Sequence, residues 1–582
     1  MDSVRGNRGP LRFSAYVPAQ EVTTHLSHAD GRARALEHFR ANQISRVYLD
    51  CLRGGHTPEE SVLAGTQEYL GAHGIDVAAG LTPTRGSGRG STHGRHWLCY
   101  TSADTRRELA DVSRFTAGLF DRIIVDDFLC TQCQCAECAH ERGDRSWEEY
   151  YGELMAGVAR ECFIDPIRAG NPDATVIIKY PQWYDRFHNF GYDVREHPTS
   201  FDEVWAGTEI RDPLVEYVAQ YQAFANHTWL GALSGERMGG AWFDFINCYP
   251  EIYVEQAVQS ILAGAREMIR FHYGPDLYEP DSPCTAALLD AIPVLTRLAE
   301  ELDGREPEGV LFFKPPMSDA GDEAYLPDTL GMLGLPIIPT HVLPASAGAV
   351  CLAAHAASEP EIVTRAVSLA EAGATVLMTP GFIRGLAHDA RVLDMAGLGV
   401  PGVTPCDVWT FRFAVDGRAV SGEQHVRFAS RLLPTAAEVV ATAIHPDGPV
   451  PVLTRHAVGE GQVVVLNATT FEYPAGSGRV TSAEPVSLTG LPQPVVDRLR
   501  GLLLNGSDLD IDVRSKVGVY RYGGRVVLTN FNDQDVDASV RCTTAETRLV
   551  YPREDSTAGA TPEGGGGVSV PRRGFRVLRV TE

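Results

Sequence analysis

The chain has 582 residues, more than a single hydrophobic core accommodates, so two to four domains are expected. Its 75 acidic and 51 basic residues give a net charge of -24. That balance argues against nucleic acid as a partner, because a phosphate backbone calls for a basic footprint. No apolar run reaches the ~18 residues of a membrane span, and MDSVRGNRGPLRF at the start lacks the apolar centre of a secretory signal. A cytoplasmic protein with no membrane partner is the expectation.

From Leu11 to about Gly274, short apolar runs alternate with longer amphipathic ones. RFSAYVP (12–18), SRVYLD (45–50), IDVAAGLTP (75–83), DRIIVDD (121–127), TVIIKYP (175–181), DEVWAGTE (202–209), GAWFDFI (240–246) and EMIRFHYG (267–274) read as eight strands. Helical segments such as GRARALEHFRANQI, TPEESVLAGTQEYLGAHG and SWEEYYGELMAGVARECF separate them; the second opens on Thr57, Pro58 and Glu60 as a cap. Eight such strands predict a (β/α)8 barrel over residues 1–303, closed by a helix at 286–302.

A polar linker, DGREPEG (303–309), leads into strand GVLFFKPP (309–316), strand AGAVCLAAHA (347–356), helix 359–374 and strand TVLMTPG (375–381). Strand QVVVLNA (462–468) and helix 494–504 follow, so residues 304–506 are expected to form an open, doubly wound α/β domain, its edges unassigned between Ala387 and Gly461. Over 507–582 the period shortens to alternating strands between Gly, Asn and Asp, which predicts a C-terminal β-sandwich. The Gly-rich stretches 84–94 and 554–567 read as mobile loops, and neither has a phosphate-binding pattern.

The fourth strand ends on Asp126 and Asp127, and Cys130, Cys133, Cys135 and Cys138 follow at once. Carboxylates at the C-terminal end of a barrel strand face the active-site mouth. Cys133-x-Cys135-x2-Cys138 supplies three thiolates, and Cys99 on the loop after the third strand supplies a fourth, with Cys130 the competitor. Four thiolates suit a closed, structural zinc site that leaves no position open for water. No organic cofactor is expected.

GRHWLCYTS and CQCAEC, in that order, resemble elements of glycoside hydrolase family 42, the trimerising β-galactosidases. The resemblance implies a barrel, an α/β trimerisation domain, a C-terminal β-domain, a structural zinc and assembly into a homo-oligomer (dimer or trimer) through the α/β domain. One departure stands out: that family has Asn-Glu at the end of strand four, whereas this chain has Asp126-Asp127. β-Galactosidase activity does not carry over with it.

Glycosidases work with two carboxyl groups flanking the scissile bond. The candidates are Asp126, Asp127 and Glu209 as catalytic acids, with Asp50 and Asp244 also at strand ends. On a regular strand Asp126 and Asp127 would point to opposite sides, so one of them would face the sugar. Glu209 lies beside Arg211, which could pair with it. Lys179, inside a strand, needs a carboxylate partner, Asp127 or Glu209. Trp183 and Trp242 could stack on sugar faces, and His272 could add a polar contact. These residues predict an exo-acting glycoside hydrolase for small oligosaccharides or glycosides. The alternatives are a substrate-assisted N-acetylhexosaminidase using the Asp-Asp pair, and a non-catalytic carbohydrate-binding or assembly protein. A phosphorylase is disfavoured, since no basic cluster for phosphate stands out.

Overall fold

The computed structural model describes residues 9–84, 97–212, 219–271, 273, 282–467, 487–542, 546–551 and 567–581. His272 and nearly all of the two Gly-rich stretches (85–94 and 554–566) lie outside the described residues. The chain divides into two compact units: residues 1–212 with 230–304, and residues 213–229 with 305–582.

The first unit is a closed parallel barrel of β1 (Arg12–Val17), β2 (Ile44–Arg53), β3 (Asp76–Thr82), β4 (Arg122–Val125), β5 (Thr175–Tyr180), β6 (Glu203–Gly207), β7 (Met238–Asp244) and β8 (Glu267–Phe271). β1 pairs with β8 in parallel, Ala15 opposite Arg270, and this closes the ring. All eight predicted strands are present. One buried cluster takes a residue from every strand: Tyr16, Tyr48, Ala78, Ile124, Ile177, Trp205, Trp242 and Ile269. Rings of Tyr and Trp fill the bore only because small residues face them; a Cβ on Gly80 would overlap the Tyr16 ring. At the N-terminal end of the strands, Arg46 pairs with Glu267 at 2.6 Å and Arg122 with Glu203 at 2.7 Å, which belongs to stability.

The helix predicted from Thr57 begins at Glu60 instead. Its N-cap is Glu59 and no side chain caps it. The helix Trp147–Val158, by contrast, starts on a full capping box between Ser146 and Glu149.

The second unit contains a nine-stranded sheet and a pair of smaller sheets. Its strands are β9 (Pro307–Glu308), β10 (Val310–Phe313), β11 (Ile337–Thr340), β12 (Ala349–Leu352), β13 (Thr375–Met378), β14 (Leu398–Val415), β15 (Arg418–Pro434), β16 (Glu438–Ala443), β17 (Val450–Val458) and β18 (Gly461–Leu466). The five strands β11-β10-β12-β13-β18 are parallel, as the wound α/β pattern requires. The sheet then continues antiparallel through β17, β16, β14 and β15. The unassigned stretch after Ala387 is therefore mostly a long hairpin, turned on Asp416 (φ 47°) and Gly417 (φ 77°), the positive-φ pair a two-residue turn needs. Residues 219–229 join this unit through Tyr221, whose hydroxyl donates to Ile337 O at 3.0 Å, and Trp229, whose indole N–H donates to Lys314 O at 3.0 Å.

The C-terminal strands are β19 (Leu509–Asp512), β20 (Val517–Tyr522), β21 (Arg525–Asn530), β22 (Val536–Cys542), β23 (Glu546–Tyr551), β24 (Gly567–Val570) and β25 (Phe575–Thr581). They form sheets β19-β22-β24 and β23-β25-β21-β20-β9 around a core that includes Val517, Val519, Val526, Leu528, Val540 and Leu578. The linker reading of 303–309 needs correction here. Pro307 and Glu308 are the edge strand β9 against Tyr522 and Arg521, so that segment is tied down by backbone pairing. Among the described residues, no helix is long and apolar enough to cross a membrane.

Candidate active site and cysteine centre

Side chains two apart on a strand share a face. The inner barrel cluster contains Tyr48, Ile177 and Trp242, so Asp50, Lys179 and Asp244 enter the bore one layer higher, at the C-terminal mouth. The strand alternation puts an acid or base on three separate strands at one level, and Asp126 follows the end of β4.

β4 stops at Val125, so Asp126 and Asp127 occupy the turn beyond it and diverge. Asp126 is buried. Its Oδ2 accepts from Arg53 Nη2 at 2.9 Å and Thr82 Oγ1 at 3.3 Å, and its Oδ1 accepts the Asp127 N–H at 2.9 Å. Asp127 turns the other way: its Oδ2 accepts from Lys179 Nζ. The same ammonium donates to Glu209 Oε1 at 2.7 Å and sits over the Trp242 ring, 4.9 Å from its centre. Two hydrogen bonds of ~2.8 Å to one nitrogen keep the oxygens they hold within ~5.6 Å of each other. The Asp127 side chain is 18% exposed and that of Glu209 5%, so Asp127 is the more open of the two.

Burial pushes the Asp127 carboxyl up to about 7; Lys179 opposes this, and Asp126 and Glu209 add to it. Glu209 is also raised, chiefly by burial, with Lys179 pulling it back. Burial alone would lower the Lys179 ammonium, but Asp127 and Glu209 more than compensate and raise it. Glu209 Oε2 is buried and has no hydrogen-bond partner among the described residues.

Several residues expected at a sugar are occupied otherwise. Asp50 is fully buried, with Oδ2 taken by Arg53 Nε at 2.6 Å and Thr82 Oγ1 at 3.1 Å, so it holds the arginine. Trp183 packs among Phe187, Phe190 and Tyr192, its ring 4.7 Å from that of Phe190, and only 6% of it is exposed. Trp242 belongs to the barrel core, stacked on Phe271 and tilted on Tyr16, and serves as the floor under Lys179. Arg211 does not pair with Glu209. It closes a two-pronged ion pair on Asp244, at 2.9 Å to Oδ1 and 2.6 Å to Oδ2.

Arg53 was not singled out by sequence reasoning, yet it joins Asp50, Thr82 and Asp126 and lies over the Tyr16 and Phe271 rings. The only signal was an arginine three residues after a strand-end aspartate.

The cysteine prediction concerns a separate place on the same unit. The Sγ atoms of Cys99, Cys133, Cys135 and Cys138 all lie within 4.8 Å of one another. Cys99 to Cys138 is 3.6 Å, Cys99 to Cys135 3.8 Å, and Cys135 to Cys138 3.5 Å. Four thiolates at ~2.3 Å from a tetrahedral ion stand ~3.8 Å apart, so the cluster can hold a metal. Thr101 Oγ1, 3.0 Å from Cys138 Sγ and 2.8 Å from the Tyr150 hydroxyl, adds the outer-shell support such centres use. Cys130 stays out of the group, its Sγ 3.8 Å from Asp127 O.

Residues 2–282 match the family model described as "probable glycosyl hydrolase, catalytic domain", and residues 306–471 match "uncharacterized protein SSO3021, second domain". The curated uncharacterized protein SSO3021 of Saccharolobus solfataricus is 23% identical over 346 residues, 53% of this chain and 57% of that protein, so the match spans little more than half of the relative. Among solved structures, a β-galactosidase from Bacillus circulans sp. alkalophilus matches with TM-score 0.66 at 11% identity, covering 100% of both chains. A β-galactosidase from the haloarchaeon Halorubrum lacusprofundi matches at 0.63 and 16%, covering 98% of this chain and 99% of that one. An α-L-fucosidase from Paenibacillus thiaminolyticus matches at 0.64 and 12%, over 99% and 100%. Residues 2–282 thus match a probable glycosyl hydrolase catalytic domain, and the chain shares its fold with β-galactosidases that include a family 42 member.

Proposed function

We propose that the protein is an exo-acting, retaining glycoside hydrolase for small oligosaccharides or glycosides, with Asp127 as acid/base and Glu209 as nucleophile. The observation that carries this is the single ammonium of Lys179 in contact with both carboxylates. A shared ammonium draws one oxygen of each carboxyl close, which supports the ~5–5.5 Å carboxyl separation of retention over the ~6.5–9.5 Å that inversion needs to admit a water. Asp127, pushed up to about 7, keeps its proton in about half the molecules at pH 7 and in most below it, and gives it to the glycosidic oxygen as the bond to the anomeric carbon breaks. A Glu209 oxygen forms the new bond to that carbon. Asp127, now ionised, takes a proton from water, whose oxygen attacks the same carbon and releases Glu209.

The substrate-assisted alternative would need Asp126 to orient an acetamido group. That carboxylate is already engaged by Arg53, Thr82 and a backbone N–H, so we give it the role of anchoring Arg53. We further propose a structural zinc on the four cysteines and self-association through the α/β domain, the latter checked by light scattering on the eluting protein.

The test is a panel of aryl glycosides. Wild-type protein should turn over at least one of them, and Asp127→Asn and Glu209→Gln should each lose most of that turnover. Activity untouched by both changes would remove Asp127 and Glu209 as the catalytic pair, and no activity on any substrate would favour the carbohydrate-binding reading.

A further inference from the structure

A retaining reaction moves negative charge between its two acids. In the resting site the nucleophile is ionised and the acid neutral; once the sugar is attached, the nucleophile is an uncharged ester and the acid is a carboxylate. A counter-ion fixed to one partner would favour one half-reaction and oppose the other. Here the counter-ion is fixed to neither.

Lys179 Nζ donates to Glu209 Oε1 at 2.7 Å and to Asp127 Oδ2, with its side chain 2% exposed. It rises from β5 between the acids beyond β4 and β6, over the Trp242 ring of β7. The neighbouring cations are engaged elsewhere: Arg53 holds Asp50 and Asp126, and Arg211 holds Asp244. The charged groups acting on this unit are therefore Asp126, Asp127 and Glu209 on the lysine, with Asp244 and Arg211 acting further on Glu209. Resting on the retaining reading above, we infer that Lys179 is a positioning residue that serves both carboxylates in turn, staying in place while the site's negative charge passes from Glu209 to Asp127 and back.

Such a lysine does more than hold the fold, and the difference shows in the pH profile. Removing it withdraws a cation from the nucleophile, so the acid limb of kcat/KM moves to higher pH. Lys179→Met should move that limb up by about one pH unit or more and lower kcat ~10²-fold. Lys179→Arg, which keeps the charge, should hold the limb near its wild-type position. A second arm does not depend on the folding of Lys179→Met. Lys179→Gln, which removes the charge but keeps a hydrogen-bond donor between the acids, should move the acid limb up in the same direction on a dinitrophenyl glycoside, whose leaving group needs no proton. An acid limb unmoved in Lys179→Met, or unmoved in Lys179→Gln if the first variant does not fold, overturns the inference while the hydrolase reading survives. A wild-type protein without glycosidase turnover removes that reading and this inference with it.

Discussion

Gly207 and Glu209 share one space. A Cβ built on Gly207, the last residue of β6, would overlap Glu209 Oε2 and come within 2.9 Å of the Tyr180 carbonyl oxygen. The carboxylate reaches Lys179 because the residue two positions before it has no side chain.

Gly207→Ala should therefore displace Glu209 without adding or removing a charge. A shift of about 1 Å in a reacting group can cost ~10² in rate, so kcat should fall by about that factor while circular dichroism stays unchanged. An alanine variant with wild-type kcat would show that the position of Glu209 does not matter.

The pH dependence follows from Asp127. With its carboxyl pushed up to about 7, the acid carries its proton below that pH and loses it above. Glycosides with poor leaving groups should therefore show kcat/KM falling as pH rises through about 7. Asp127→Asn should abolish this limb and cost ~10²–10⁴ on such substrates, but far less on dinitrophenyl glycosides. A rate flat from neutral pH to pH ~9 would remove Asp127 as the acid.

Arg53 separates structural from catalytic carboxylates. Asp126→Asn leaves the guanidinium its bond to Asp50, so a stability loss of ~1–3 kcal/mol is expected, with a smaller effect on kcat than Asp127→Asn. Arg53→Met leaves Asp50 and Asp126 buried without their cation, and its cost should be larger, ~3–5 kcal/mol. Urea midpoints measure both. The order reversed would mean that Asp126 does more than anchor the arginine.

For the cysteine centre, purified protein should carry about one zinc per chain by elemental analysis. Cys138→Ser should lose it and melt at lower temperature, with kcat per folded molecule little changed, because no ligand position remains for substrate. Four cysteines that react freely with a thiol reagent without releasing metal would show the cluster to be unmetallated.

The barrel was legible because its signal is local. Eight apolar runs with helical spacers predicted eight strands, and each is where the pattern placed it. The hairpin β14–β15 was not legible. It is long, mixes Trp409 and Phe411 with charged neighbours, and exposes much of both faces, so no clean alternation marks it. Pro307 and Glu308 looked like a linker because a proline and a charged residue carry no strand signal, and it is backbone pairing to β20 that makes them a strand.

The sequence alone determined which strands end in acids and bases, since alternate side chains share a face whatever the neighbours are. It determined three of the four cysteines too, because they lie within six residues, while the structure brought Cys99 and not Cys130 to them as the fourth. Only the tertiary structure decided the partners. Arg211 went to Asp244 and not to Glu209, Asp50 was spent on Arg53, and Lys179 took two acids at once. A pairing between strands depends on ring closure and on which residues are small enough to let a neighbour through, as at Gly80 and Gly207, and no window of sequence contains that information.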